Sequence, residues 1–181
     1  MTELLAKLAP HMKWPNGEGT GGGVAISAQD VAAACKGMTR HIYLYALVKF
    51  VFDTSVINEL YAENRRATVY RAHLQRWRAL DLGIEAIHKM ADLSLREAII
   101  PPHCAHCNGA GIHNNQRSCK ECGGSGSRHI ERSVRARFCG VSLSQWDSVC
   151  AHRYDELQRE FDYFESLIAS IVKRRLKDDE T

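Results

Sequence analysis

Apolar residues recur along most of this chain at steps of three and four, the spacing that places them on one face of an α-helix. After Thr39 a strongly apolar stretch (Ile42, Leu44, Leu47, Val48, Val51) predicts a buried helix at the centre of an N-terminal helical domain. The helical pattern continues from Ser55 to about Ile99, and Leu80, Ile84, Ile87, Met90 and Ala91 fall on one core-facing stripe. So long a stretch needs a break, whose position the pattern does not give. Pro101 and Pro102 end it, because the residue before a proline disfavours helix. Past Trp146 the pattern runs to about Leu176, with Cys150, Tyr154, Leu157, Phe161, Phe164, Ile168 and Ile171 at steps of four and three. Such a stripe can zip two subunits, though packing against the N-terminal helices of the same chain is the favoured reading. Period-two alternation never lasts beyond a few residues. A mainly α fold, a helical bundle, is expected.

Punctuation along the chain divides it further. Leu4, Leu5, Leu8 and Met12 form a short apolar-periodic stretch ending near Pro15, and residues 15–23 (PNGEGTGGG) read as a linker. No Gly-Lys-Ser/Thr follows those glycines, which argues against a phosphate-binding loop. Ser27 with Asp30 resembles a helix start and Gly37 a stop. The expected organisation is an N-terminal segment and linker over 1–23 and a helical domain over 24–100. A zinc-binding module over 101–128 and a helix–turn–helix-like segment with a long C-terminal helix over 129–181 complete it.

Composition adds little: 45% hydrophobic and 25% charged residues make an ordinary globular mixture. The start, Met1-Thr2-Glu3, lacks the basic and apolar regions of a secretory signal, and no apolar run of about eighteen residues occurs. A cytoplasmic protein without a membrane span is expected. The net charge is only +3, from 24 basic and 21 acidic residues. Its distribution says more. Arg117, Lys120, Arg128, Arg132, Arg135, Arg137 and Arg153 face only Glu121, Glu131 and Asp147 over 117–153. Such a segment can follow a phosphate backbone or form a plain solvated surface.

The chain has 7 Cys, an odd number without a secretory signal, which points to reduced thiols. Residues 104–126 read CAHCNGAGIHNNQRSCKECGGSG, so Cys-x-x-Cys-x-Gly-x-Gly occurs twice. Two intervening residues let both thiolates of a turn point at one tetrahedral ion, and the following glycines let the chain bend closely around it. Cys104, Cys107, Cys119 and Cys122 are therefore expected to hold one structural Zn²⁺ in a closed shell. His103, His106 and His113 lie close enough to substitute for a thiolate. Redox pairs would expect a βαβ context, and a catalytic zinc would need an open ligand position. Cys35 and Cys150 read as small core residues and Cys139 as part of a turn, with no basic neighbour to activate a thiol.

Residues 132–149 read RSVRARFCGVSLSQWDSV. Ala136, Gly140, Val141, Ser142 and Trp146 match a helix–turn–helix: a small residue for close helix approach, a turn glycine, and apolar residues filling the wedge. Ser142 or Ser144 would cap the second helix. Its first turn would present Ser144, Gln145, Asp147 and Ser148 to base edges, Gln suiting adenine and Asp cytosine. Arg128, Arg132, Arg135 and Arg137 would lie along the phosphates. A plain helix hairpin is the alternative.

Taken in order, these features resemble the lambda-type Q antitermination proteins of lambdoid bacteriophages. A helical segment ends in proline; two knuckles follow, then a basic helix, then a turn carrying Leu143, Gln145 and Trp146 into a helix with Tyr154 and Leu157. The resemblance covers roughly residues 85–165. It implies a non-enzymatic factor of the bacterial host cytoplasm that binds double-stranded DNA at a late-promoter element. Such a factor loads onto host RNA polymerase, with contacts to the β flap, a sigma factor and a Nus-type elongation factor, and makes the enzyme read through terminators. A zinc-containing promoter regulator is the nearest alternative. J-protein cochaperones share the knuckle but carry four repeats and a His-Pro-Asp tripeptide, which this chain lacks.

Overall fold

The computed structural model describes Cys35 and residues 37–77, 82–100, 103–112, 117–127 and 130–178. The stretches expected over 1–14, 15–23 and from Ser27 lie outside the described residues. Described residues 103–127 form one compact unit, and the remaining described residues form a second.

The larger unit is helical: α1 (Arg40–Phe50), α2 (Ile57–Leu74), α3 (Ile84–Ile99), α4 (Arg132–Cys139), a single turn α5 (Leu143–Gln145) and α6 (Ala151–Asp178). A π turn over Trp146–Cys150 joins α5 to α6, and a 3-10 turn over Thr54–Val56 precedes α2. Helix α1 begins where expected, with the Thr39 hydroxyl accepting from Ile42 N–H. Its apolar residues Ile42, Leu44, Leu47 and Val48 are buried.

The break in the long apolar pattern falls between α2 and α3. Arg76 adopts φ 55°, and Trp77, wholly buried, donates from Nε1 to Gln75 Oε1 at 2.8 Å. Of the stripe expected on α3, Ile87, Met90 and Ala91 are buried. Leu80 lies outside the described residues, and Ile84 is exposed. As the first residue of α3 it has no earlier helical turn to pack beneath.

Two apolar cores hold this unit. One gathers α1 with Leu60 of α2, Leu95 of α3, and Phe161, Phe164 and Ile168 of α6. The other gathers Trp77, Leu82, Ile87, Met90, Ala136, Cys139, Trp146, Cys150, Tyr154 and Leu157. The C-terminal stripe thus serves both cores and packs intramolecularly. Helices from the 24–100 and 129–181 segments consequently share their cores. Cys139 is not in the turn as expected but on the last turn of α4 and buried, because its side chain faces this second core. Two polar side chains tie helices together: buried Asn64 Nδ2 donates to Ala91 O at 2.7 Å, and half-buried Gln158 Nε2 donates to Ser94 O at 3.1 Å. No helix among the described residues is long and apolar enough to cross a membrane.

Candidate metal centre

The smaller unit has almost no apolar core; its buried cluster is the four cysteines themselves. Their sulfurs all lie within 4.8 Å of one another. Cys104 Sγ and Cys119 Sγ are 3.9 Å apart, and Cys107 Sγ and Cys122 Sγ 3.7 Å. A tetrahedral ion with metal–sulfur bonds of about 2.3 Å requires sulfur–sulfur edges of about 3.8 Å. The donor set therefore fits one tetrahedral metal ion. Cys104, Cys107 and Cys119 are buried and Cys122 partly so, which leaves the shell closed.

The two knuckles are related by a local pseudo-twofold. Cys104 N–H donates to Gly126 O at 2.9 Å, and its counterpart Cys119 N–H to Gly111 O at 2.8 Å. Antiparallel bridges His103–Ser127 and Ile112–Ser118 obey the same relation. Within each knuckle a backbone amide reaches a sulfur: Gly111 N–H to Cys107 Sγ at 3.2 Å and Gly126 N–H to Cys122 Sγ at 3.3 Å. These amides place positive charge at the sulfurs, the arrangement that favours thiolates. Burial pushes the Cys119 thiol up to about 11. At Cys122 burial also opposes ionisation, yet hydrogen bonds from the Gly126 and Gly124 N–H groups, and from the Cys119 and Cys107 thiols, together bring the Cys122 thiol down to about 6.

The glycines after each cysteine pair are needed by this interlock. Gly111 and Gly126 have φ 72° and 74°. A Cβ on Gly111 would run into the carbonyl oxygen of Gly124, and one on Gly126 into that of Gly109. Among the described residues, no histidine joins the four-cysteine group; His113 lies outside them. The other thiols have a separate role. Cys139 and Cys150 are buried in the second core, and burial pushes them up to about 12 and about 11.

Beyond the cluster, α4 ends at Gly140 in the left-handed conformation, φ 72°, and Val141 N–H returns to Ala136 O at 3.1 Å. The chain re-enters helix at Leu143, capped by Ser142, whose Oγ accepts from Gln145 N–H at 3.1 Å. Ala136 and Trp146 are buried together. The expected DNA-facing residues divide. Ser144, Asp147, Ser148 and Arg137 are exposed, and Gln145 is half-buried. Arg132 is exposed but paired with Asp147 at 3.1 Å. Arg135 is turned inward: Nε and Nη2 donate to the two oxygens of Glu97 at 3.2 and 2.7 Å, and its guanidinium lies 4.7 Å from the Tyr154 ring centroid. This removes Arg135 from the open face, because Glu97 of α3 and the Tyr154 ring already satisfy it. Arg128 lies outside the described residues. Glu97 carried no motif in the sequence; only an unpaired acid on the polar edge of α3 could have hinted at it. No protein-family model matches the sequence, and no curated protein matches it.

Proposed function

We propose that this chain is a zinc-stabilised transcription antitermination factor of the phage Q type. It binds a promoter-proximal DNA element, loads onto host RNA polymerase at the β flap and sigma factor, with a Nus-type factor assisting, and makes the enzyme read through terminators. One observation carries the reading: a tetrahedral four-thiol cluster is followed directly by a short helix, a left-handed glycine and a serine-capped helix. Four thiolates and tetrahedral spacing suit Zn²⁺, which needs no open position in a structural role. Exposed Ser144, Asp147 and Ser148 then lie where a second helix would meet base edges. Arg137 supplies a cation beside them. The finer elements, namely antitermination, polymerase contacts and the bacterial cytoplasm, rest on the resemblance of residues 85–165.

The test separates loading from simple promoter binding. DNA selected from a randomised pool by the zinc-loaded protein is placed beside a promoter, with an intrinsic terminator far downstream. Purified bacterial RNA polymerase should read through that terminator only when both protein and selected site are present. A change in initiation without distal readthrough would replace this reading with a promoter-bound regulator. Failure to select any DNA would remove both.

A further inference from the structure

Charge is distributed unevenly around the turn between α4 and α5. At the start of α4, Arg132 is neutralised by Asp147 and stands beside exposed Glu131. Arg135 is cancelled by Glu97 inside the fold. The other end is different. Arg137, one turn before Gly140, is exposed and forms no side-chain ion pair among the described residues. Lys89 arrives from α3, and its Nζ lies 3.5 Å from the place a Cβ on Gly140 would occupy. The Lys89 side chain is 40% exposed, and that of its partner Glu85, at 2.6 Å, is 79% exposed. An ion pair so solvated is worth little and yields to a competing anion. With no side chain at Gly140, a ligand can approach the backbone closely beside the Lys89 ammonium.

We propose that Lys89 and Arg137, flanking Gly140, form a phosphate-contacting pair of this surface, with the sugar–phosphate backbone of double-stranded DNA as ligand. The proposal rests on the DNA-binding reading above and adds Lys89, a residue from outside the basic segment. Each contact made releases condensed counterions, so its loss is visible in the salt dependence of binding.

The zinc-loaded full chain is titrated with a labelled, mixed-sequence DNA duplex over a series of KCl concentrations. Lys89→Gln and Arg137→Gln should each lower the slope of log affinity against log salt by about 0.9, and the double variant by about twice that. Lys89→Arg should restore the slope. Arg66→Gln, which removes an exposed cation on α2, should leave it unchanged. Melting curves of the same variants exclude loss through unfolding. If the wild-type protein binds and the Lys89 and Arg137 variants keep its slope, this pair is wrong while DNA binding stands. An equal fall for Arg66→Gln would also overturn it, because the effect would be bulk charge. No binding by the wild-type protein to mixed or selected DNA overturns the pair together with the DNA-binding reading.

Discussion

Replacing Arg135 by methionine should unfold this protein far more readily than any loss of a surface cation could. The Arg135 and Glu97 side chains are only 19% and 9% exposed, so solvent screens the pair little. Two parallel hydrogen bonds fix it, and the Tyr154 ring covers one face. Removing the cation leaves the Glu97 carboxylate buried without its charge partner, a loss of about 3–5 kcal/mol. The lost stacking on Tyr154 contributes about 0.5–2 kcal/mol, without being strictly additive. Urea unfolding of the metal-loaded protein, followed by far-UV circular dichroism, measures the sum. Arg135→Met with Glu97→Met should recover part of the loss, since an apolar pair of similar volume leaves no orphan charge. If Arg135→Met costs below about 1 kcal/mol, the pair does not hold α3 to α4. The same experiment guards the functional assays. Lost DNA binding in an Arg135 variant must first be corrected for the fraction folded.

Two further outcomes follow from the geometry. Gly126→Ala should weaken metal affinity, in competition with a chromophoric chelator, clearly more than Gly123→Ala does, because the methyl meets the Gly109 carbonyl. Gly123→Ala, also at positive φ but with open space, should lose only the roughly 1–2 kcal/mol of the left-handed backbone. Equal affinities for the Gly126→Ala and wild-type proteins would refute the interlock. His41 supplies a pH test. It is buried, its Nε2 lacks a hydrogen-bond partner among the described residues, and Phe161 and Phe164 meet its ring edge-on. Burial, aided by Arg71 and opposed by Glu63 and an Asn64 hydrogen bond, lowers its pKa from 6.5 to about 4. A folded value below the unfolded one means the neutral ring favours folding above pH 6.5, an advantage lost as pH falls toward 4. The loss amounts to about 3 kcal/mol at most. His41→Phe should flatten the pH dependence of the urea midpoint across that window; an unchanged slope would refute the assignment.

What could be read from sequence was whatever is local. The metal cluster was legible because two residues between cysteines and the glycines after them fix the geometry without distant help. The start of α1 was legible because Thr39 caps it by its own side chain. The start of α3 was not, since Gly83 precedes it without any side-chain cap. Trp77, which seals the α2–α3 junction, is buried in a turn where periodicity carries no signal. The π turn left a trace that helical reading passes over. Steps of four from Trp146 to Cys150 and again to Tyr154 overshoot an α-helical face, and a wider turn absorbs the excess. Arg135 was misjudged for the opposite reason. Its partner Glu97 lies on the far side of the cysteine segment, so sequence proximity to other arginines suggested a surface role.

Removing the metal should separate what the thiol cluster holds from what the helical cores hold. The described residues between 103 and 127 bury little besides their cysteines, so metal binding and folding of that segment are one event. The helical unit has two apolar cores of its own. The chain leaves the helical unit after α3 and returns before α4, two helices joined by Glu97 and Arg135. The His103–Ser127 bridge and the Cys104–Gly126 hydrogen bond close the segment upon itself. With that closure intact, α3 and α4 are connected as if by about ten residues; without it, by roughly thirty, and each doubling costs about 0.6 kcal/mol. Chelation should therefore destabilise the helices by only about 1 kcal/mol while abolishing amide protection over 103–127. Hydrogen exchange followed by mass spectrometry resolves both effects in one sample. Collapse of the helical signal on chelation at neutral pH would refute the argument, because the cores would then depend on the cluster for more than chain closure.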